Sequence, residues 1–401
     1  RLDNGLLDQR YFGAHTYRRT CYSGDYTGRS ILNTLINRAE FLEIPILDHF
    51  YVTDLLVEDS TCLGNIAINT YTLEVVTFIA NAVIICTGGH TRLWKSSSSR
   101  DKENTGDGFH LALKAGAKLI DMEMVQFHPT GMLFPKEVEG NLVTEAVRGE
   151  GGKLINGLGE RFMKNYDKER EELSTRDRVA LANYTEIKEG RSSPNGGVFL
   201  DITHRKKEEI LEKLPEIYKQ FIKYQGLDIS KEPMEVAPTA HYSMGGIKVK
   251  ANDHRTSIKG LFAAGEAAGG LHGANRLGGN SLAEILVFGS KAGINALKYS
   301  KSLLNPNKKS SLSYQSINKI KNVITKNSLG SYKALDLQSS LQEIMWIYCG
   351  VIKNGKDLEI GLKELDKLKI KSREIEISCT DDLIRYFDFC SSLITSEATI
   401  L

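Results

Sequence analysis

The sequence predicts a chain of mixed α/β class, interrupted by an α+β segment and closed by a bundle of helices. Three observations carry that prediction. Two apolar strands run straight into glycine: Ala82-Val83-Ile84-Ile85-Cys86 into Thr87-Gly88-Gly89, and Leu261 to Ala264 into Gly265-Glu266. A wholly apolar run fits a strand buried on both faces, and glycine at its end lets a ligand approach the backbone. From about residue 121 to 239 the chain changes to charged helices and scattered strands, then returns to its first style. Beyond about residue 301 a Lys/Ser/Asn-rich stretch (305–311) gives way to apolar residues at helical spacing.

Length and composition bound the function. The 401 residues exceed the roughly 250–300 at which single cores stop growing, so two or three domains are expected. Hydrophobic content of 41% and charged content of 25% are those of a globular protein. A net charge of +2 offers no electrostatic case for a nucleic-acid partner. No apolar run reaches the roughly 20 residues that cross a bilayer. Six scattered cysteines without a CxxC pair argue for a reducing compartment and against a metal or iron–sulfur site in this chain.

In chain order, Thr27-Gly28 followed by Ile31, Leu32, Leu35, Ile36 and Ala39 predicts a helix with an apolar stripe. Phe50-Tyr51-Val52, Leu55-Leu56-Val57, Ile66-Ala67-Ile68 and Val75-Val76 read as short strands of a meander that closes on 82–86. Asn104-Thr105-Gly106-Asp107-Gly108 precedes a helix through Leu111, Ala112 and Ala115, where Asp107 fits an N-cap as well as a ligand contact. In the middle segment, Ile210, Leu211, Leu214, Ile217, Tyr218 and Phe221 fall at helical spacing. Past the 305–311 stretch the periodic sets are Ile317, Ile320, Val323; then Leu337, Leu341, Ile344, Met345, Tyr348; then Leu358, Leu362, Leu365, Leu368. Leu383, Ile384, Phe387, Leu393 and Ile394 form the last apolar face.

The chemistry concentrates on the loop after Ala264. It carries Gly265, Gly269, Gly270, Gly273, Gly278 and Gly279, together with His272 and Arg276. Asn280-Ser281 then reads as an N-cap, with Leu282, Ile285, Leu286, Gly289 and Ala292 along one face of the helix behind it. A strand, a glycine-rich loop with a cation, and a helix N-terminus together make anion-binding geometry; a plain connector with a stray arginine is the alternative. Other polar sets are Phe127-His128-Pro129-Thr130, Thr144-Glu145-Ala146-Val147-Arg148-Gly149-Glu150-Gly151 and His241-Tyr242-Ser243-Met244-Gly245-Gly246, each beside glycine or proline, and Thr175-Arg176-Asp177, a charge pair at a helix start. Taken singly, each is more simply structural than catalytic.

Taken in order with His272-Gly273-Ala274-Asn275-Arg276, these five sets resemble the flavoprotein subunit of succinate dehydrogenase and fumarate reductase, over most of the chain from about Phe12 onward. L-aspartate oxidase is a close relative and the alternative reading. The resemblance implies an FAD-binding domain (1–121 and 240–301) interrupted by a capping domain (122–239) and followed by a helical domain (302–401). It also implies an iron–sulfur partner subunit, membrane anchor subunits, and a peripheral place on the cytoplasmic face of the membrane. By the same resemblance, Arg276 grips one carboxylate of a dicarboxylate, with His241 and His128 beside it and Thr144 at the other carboxylate. Arg176 resembles the proton donor in fumarate reduction, and Glu145 and Arg148 its relay. Thr87, Gly88, Gly89, Asp107, Glu266, Asn280, Ser281 and Leu282 match positions on the FAD. No strand–GxGxxG–helix unit precedes these motifs, and the late helix at 392–398 stops before the family's arginine-containing tail. The chain is therefore expected to be a fragment, short at both ends.

Overall fold

The computed structural model describes residues 4–12, 15–303, 317–318, 320, 322–323 and 330–401, so the stretch at 305–311 lies outside the described residues. An antiparallel pair, β1 (Gln9–Arg10) and β2 (Thr20–Cys21), leads into α1 (Thr27–Phe41). The helix forms as its periodicity predicts, but its stripe enters no described core, with Ile31 and Ala39 only half-buried. None of its residues is buried or joins a core, and Leu32 and Leu35 are 56% and 50% exposed.

The meander follows as β3 (Phe50–Glu58), β4 (Thr61–Asn69) and β5 (Val75–Ile79), antiparallel and in that order. The two short strands read at 50–52 and 55–57 are one continuous strand. Pairing irregularities between Val52 and Asp54 and between Leu56 and Val57 absorb the offset that breaks the alternation. Next, β6 (Val83–Ile85) lies parallel to β13 (Leu261–Ala263), with Val83 opposite Leu261 and Ile85 opposite Ala263. Pairing sets the two glycine ends side by side. Burial on both faces does not hold for this strand: Ile85 is buried, Val83 and Ile84 are half-buried, and Cys86 is exposed. Only two described strands make up this sheet, so part of its surface stays open.

Helix α2 (Asp107–Lys114) starts from Gly106 at φ 80°, the left-handed region that glycine favours. Asp107 is therefore the first helical residue and not the cap. The helix packs Phe109 and Ala112 against Ile85, Leu261 and Ile247. Ile247 belongs to β12 (Gly246–Lys248), flanked by β7 (Leu119–Ile120) and β14 (Ala268–Gly269).

A four-stranded antiparallel sheet dominates the middle of the chain. Its order is β8 (Val125–Met132), β11 (Met234–Ser243), β10 (Val198–Asp201), β9 (Lys153–Ile155). One-turn helices α3 (Ala146–Gly149) and α4 (Met163–Tyr166), then α5 (Arg176–Lys188), α6 (Lys207–Lys213) and α7 (Pro215–Gln225), accompany it. Phe162, Val179, Leu200, Phe221 and Met234 fill its core, each contributing about 1.5–3 kcal/mol on burial. Strands β8 and β11 leave this core at one end: Met132 and Val236 lie inside it, whereas Val125, Phe127 and Ala240 pack among the late helices.

Those helices follow the long α8 (Asn280–Ser302) and are α9 (Ala334–Tyr348), α10 (Gly355–Lys371) and α11 (Thr380–Ile400). Leu337, Leu341, Leu365 and Phe389 close around Trp94 and Phe127. Helix α11 buries more than its predicted apolar face. Its hydroxyl row turns inward, with Ser392 Oγ donating to the Thr105 carbonyl (3.2 Å) and Thr395 Oγ1 to that of Gly106 (3.0 Å). Helix α8 also departs from expectation. Ile285 and Leu286 of the predicted face are exposed; of that face Ala292 is buried, together with Glu284 and Ala296.

Candidate active site

Strand alternation sets Gln126, His128 and Thr130 on one face of β8. In β11 the register shifts between Ala240 and Tyr242, which pair with Phe127 and Gln126, so His241 is the extra residue of a bulge. The bulge brings its ring edge-on to that of His128, 5.3 Å between centroids. The Thr130 amide donates to His128 Nδ1 (3.2 Å), which leaves the proton on Nε2, a buried atom with no protein partner. Ser98 Oγ holds His241 Nδ1 at 2.9 Å. Burial first, and then the charge of Arg176, pushes both histidines well below the ordinary imidazole range. Both are neutral hydrogen-bonding groups at pH 7.

Arg176 opens α5 and faces α3. Its Nε and Nη2 lie 2.8 and 2.7 Å from Glu145 Oε2, and its Nη1 donates to Gln126 Oε1 at 3.0 Å. Glu145 precedes the single turn of α3, so Arg148, three residues on, reaches back to Glu145 Oε1 at 3.7 Å. Arg148 Nη1 donates to the Glu172 carbonyl (2.6 Å), and burial lowers its pKa. Thr144 is half-buried, and its Oγ1 accepts from the Ala146 amide (3.3 Å). No hydrogen bond joins that hydroxyl to His128, His241 or Arg276 among the described contacts.

Arg276 arrives from the other side. Its Nη1 donates to Ser281 Oγ (2.9 Å) and its Nη2 to Gln126 Oε1 (3.0 Å), and its Cζ sits 4.2 Å from the centre of the Tyr242 ring. Burial, and then Arg176, pushes its pKa down to about 10. The motifs in the sequence do not single out Gln126, yet one oxygen of it receives both arginines. Its amide nitrogen donates to Asn275 Oδ1 (2.7 Å) and the Arg276 carbonyl (2.6 Å). The signal lies in its spacing, two residues before His128 in a strand. Three guanidiniums, those of Arg148, Arg176 and Arg276, are buried here; Glu145 contacts the first two, and among the described residues no carboxylate forms an ion pair with Arg276. A buried guanidinium without a carboxylate partner suits the binding of an anion.

A second cluster adjoins the first through Ser281. Gly89 packs so closely that a Cβ there would fall 2.2 Å from Ser243 Oγ and 2.5 Å from Glu266 Oε1. Glu266 accepts from the Ser243 amide (2.9 Å), and burial raises its pKa to about 7. Asn104 Oδ1 accepts from the Gly89 amide (3.0 Å), a loop contact with no signal in the sequence. Gly108 is pressed on Thr87, which sets Asp107 beside the Thr87-Gly88-Gly89 turn, and burial raises the Asp107 pKa. Asn280, Ser281 and Leu282 form the first turn of α8. The N-cap is Gly279 at φ 81°, without a side-chain cap, and not Asn280-Ser281 as expected. Helix amides without a side-chain cap, an exposed Thr87 and a glycine turn suit a flat cofactor with an electron-rich carbonyl edge.

Residues 1–282 match the family described as FAD binding domain, and residues 338–385 that described as Fumarate reductase flavoprotein C-term. The chain is 44% identical over 401 residues to a subunit of the fumarate reductase (CoM/CoB) of Methanothermobacter marburgensis, covering 99% of this chain and 72% of that one. It is 36% identical over 402 residues to the fumarate reductase flavoprotein subunit of Escherichia coli, covering 96% of this chain and 65% of that one. An Escherichia coli quinol fumarate reductase structure superposes with a TM-score of 0.92 at 34% identity, over 100% of this chain and 71% of that one. Mycobacterium smegmatis Sdh1 superposes with a TM-score of 0.85 at 38% identity, over 100% of this chain and 69% of that one.

Proposed function

The chain belongs to the fumarate reductase and succinate dehydrogenase flavoprotein family, and on that premise we propose that it interconverts succinate and fumarate. It is an FAD-dependent oxidoreductase. FAD, when bound, supplies the hydride chemistry, and Thr87, Gly88, Gly89, Asp107, Glu266, Asn280, Ser281 and Leu282 are the residues that would hold it. The observation that carries the substrate assignment is the buried Arg276, cationic and with no carboxylate in ion-pair contact among the described residues, set beside a second arginine paired with Glu145.

Arg276 takes one carboxylate of the substrate, since a guanidinium fork matches a carboxylate with two parallel bonds. His128 and His241, neutral and beside it, donate to the same end, and Thr144 serves the other carboxylate. Donors aimed at charge that builds up in the transition state favour it over the ground state. Arg176 delivers the proton to the second central carbon in fumarate reduction and removes it in the reverse direction. Arginine is a weak acid, with a reference pKa of about 12.5 or higher, so it serves only a strongly basic carbon and needs prompt reprotonation. Glu145, 2.7 Å away and in turn facing Arg148, supports that relay.

Electrons pass to an iron–sulfur partner subunit, and anchor subunits hold the assembly peripherally at the cytoplasmic face of the membrane. The relatives' names as subunits support a multi-subunit setting, and no described helix is long and apolar enough to cross a membrane. Steady-state assays of the full-length protein with succinate, fumarate and L-aspartate test the reading. Turnover of succinate or fumarate is the expected result; activity on L-aspartate with none on succinate or fumarate would overturn it.

A further inference from the structure

Glu284 is the one charged residue in an apolar run of the first turns of α8, Leu282-Ala283-Glu284-Ile285-Leu286-Val287. On an amphipathic helix such a carboxylate faces water and its apolar neighbours face inward. Here the sides are exchanged: Glu284 is 4% exposed, while Ile285, Leu286 and Val287 are exposed. A buried carboxylate is strongly unfavourable unless hydrogen-bonded donors compensate it. Two do so on the same oxygen. Glu284 Oε2 accepts from the Tyr242 hydroxyl and from His272 Nε2, the latter at 2.8 Å.

Both donors bear on Arg276. The Tyr242 ring is the surface beneath its guanidinium, 4.2 Å from Cζ. His272 lies four residues before Arg276 on the same glycine-rich loop, and its ring stands edge-on to Tyr242 at 5.6 Å. Among the described residues no carboxylate forms an ion pair with Arg276. A phenol whose hydroxyl leans on a carboxylate presents a more electron-rich face, which strengthens a cation held over it. The His272 contact also ties a loop with four glycines at positive φ, Gly265, Gly270, Gly273 and Gly279, to the first turns of a 23-residue helix.

We infer that Glu284 is a positioning residue for Arg276, acting through the Tyr242 ring and the His272 tether and touching neither substrate nor cofactor. The inference rests on the reading of Arg276 as the carboxylate-binding group. Glu284 sets the affinity of the site for a dicarboxylate while leaving the proton-transfer end alone.

The test uses full-length, FAD-loaded protein and titrates malonate by its perturbation of the flavin absorbance, alongside steady-state fumarate reduction. Glu284→Gln keeps the side-chain shape and removes the charge. It is expected to weaken malonate binding and raise KM by about tenfold, with kcat changed less than about threefold and FAD content unchanged. Tyr242→Phe removes a single oxygen and should reproduce most of that effect; it carries the test alone should Glu284→Gln fail to fold. Wild-type malonate affinity in the folded variants, or a fall in kcat with KM unchanged, overturns the inference. Arg276→Lys separates the two failures. If it loses malonate binding while Glu284→Gln keeps it, the positioning role alone is wrong. If Arg276→Lys itself binds as wild type, the reading of the site is wrong.

Discussion

Arg176 and Arg276 donate to the same oxygen, Gln126 Oε1, yet the protein holds them in opposite ways. Arg176 leans on the buried carboxylate of Glu145 through Nε and Nη2, so its charge is already balanced. Arg276 is held by a hydroxyl, an amide oxygen and the face of a ring, none of them charged. Burial lowers its pKa to about 10, which still leaves it fully cationic at pH 7. An arginine balanced by a carboxylate has little left for an incoming anion but has a proton partner in contact. An uncompensated arginine offers its whole charge to a ligand. The contrast separates a proton-transfer end from a binding end within one pocket.

The strongest way to break this contrast is Arg176→Lys. A lysine keeps the charge but loses the fork that meets Glu145, so turnover should fall about 10³-fold, within the usual range for a lost acid–base group. Malonate affinity should stay within a few fold. Steady-state and inhibitor titrations check both numbers, and a variant that still turns over at the wild-type rate moves the proton role elsewhere. Next in size is Arg276→Gln. Removing the uncompensated charge should raise KM for fumarate about 10²-fold, as expected for losing one partner of a buried charged contact; an unchanged KM would erase the distinction between the two ends.

Gln126→Leu sharpens the comparison, because it strips an acceptor from both arginines at once. The two unsatisfied donors should lower kcat/KM by about tenfold to a hundredfold, divided between kcat and KM. A loss confined to KM would show that only Arg276 depends on the bridge. The smallest effect concerns Glu266, whose pKa rises from 4.5 to about 7 on burial. The folded state then holds its proton more tightly than the unfolded chain does, so this group's stabilisation is present below about pH 4.5 and is lost as pH climbs toward 7. Glu266→Gln should flatten that part of the stability profile, as read by thermal unfolding at pH 5 and pH 7.5. A slope equal to that of the wild type would mean the group titrates normally.

Much of the architecture was legible because it is periodic. Helices α5, α7, α9, α10 and α11 fall where apolar spacing or a charged start places them, and β6 and β13 fall on apolar runs ending in glycine. Misreadings occurred where local pattern and tertiary partner disagree. The α1 stripe predicts burial that no described residue provides. The α8 stripe holds at Ala292 but fails in the first turns, where Ile285 and Leu286 are exposed and Glu284 is drawn inward by two donors that lie distant or loop-bound in sequence. The N-caps of α2 and α8 are glycines at positive φ where polar side chains were expected, because crowding by Thr395 and Thr20 leaves little room beside them.

By itself the sequence determined which groups are available: two arginines beside glycine or a helix start, two histidines beside proline or tyrosine, and a Glu145–Arg148 pair three residues apart. Spacing of that kind is local, and local geometry follows from backbone periodicity. Tertiary structure alone decided which group faces which. Gln126 meets Arg276 across 150 residues and Arg176 across 50. Those meetings depend on the β8–β11 register and its bulge at His241. A shift of one residue in that ladder would turn Gln126 and His128 to the opposite face of the sheet, and the two arginines would lose the oxygen they share.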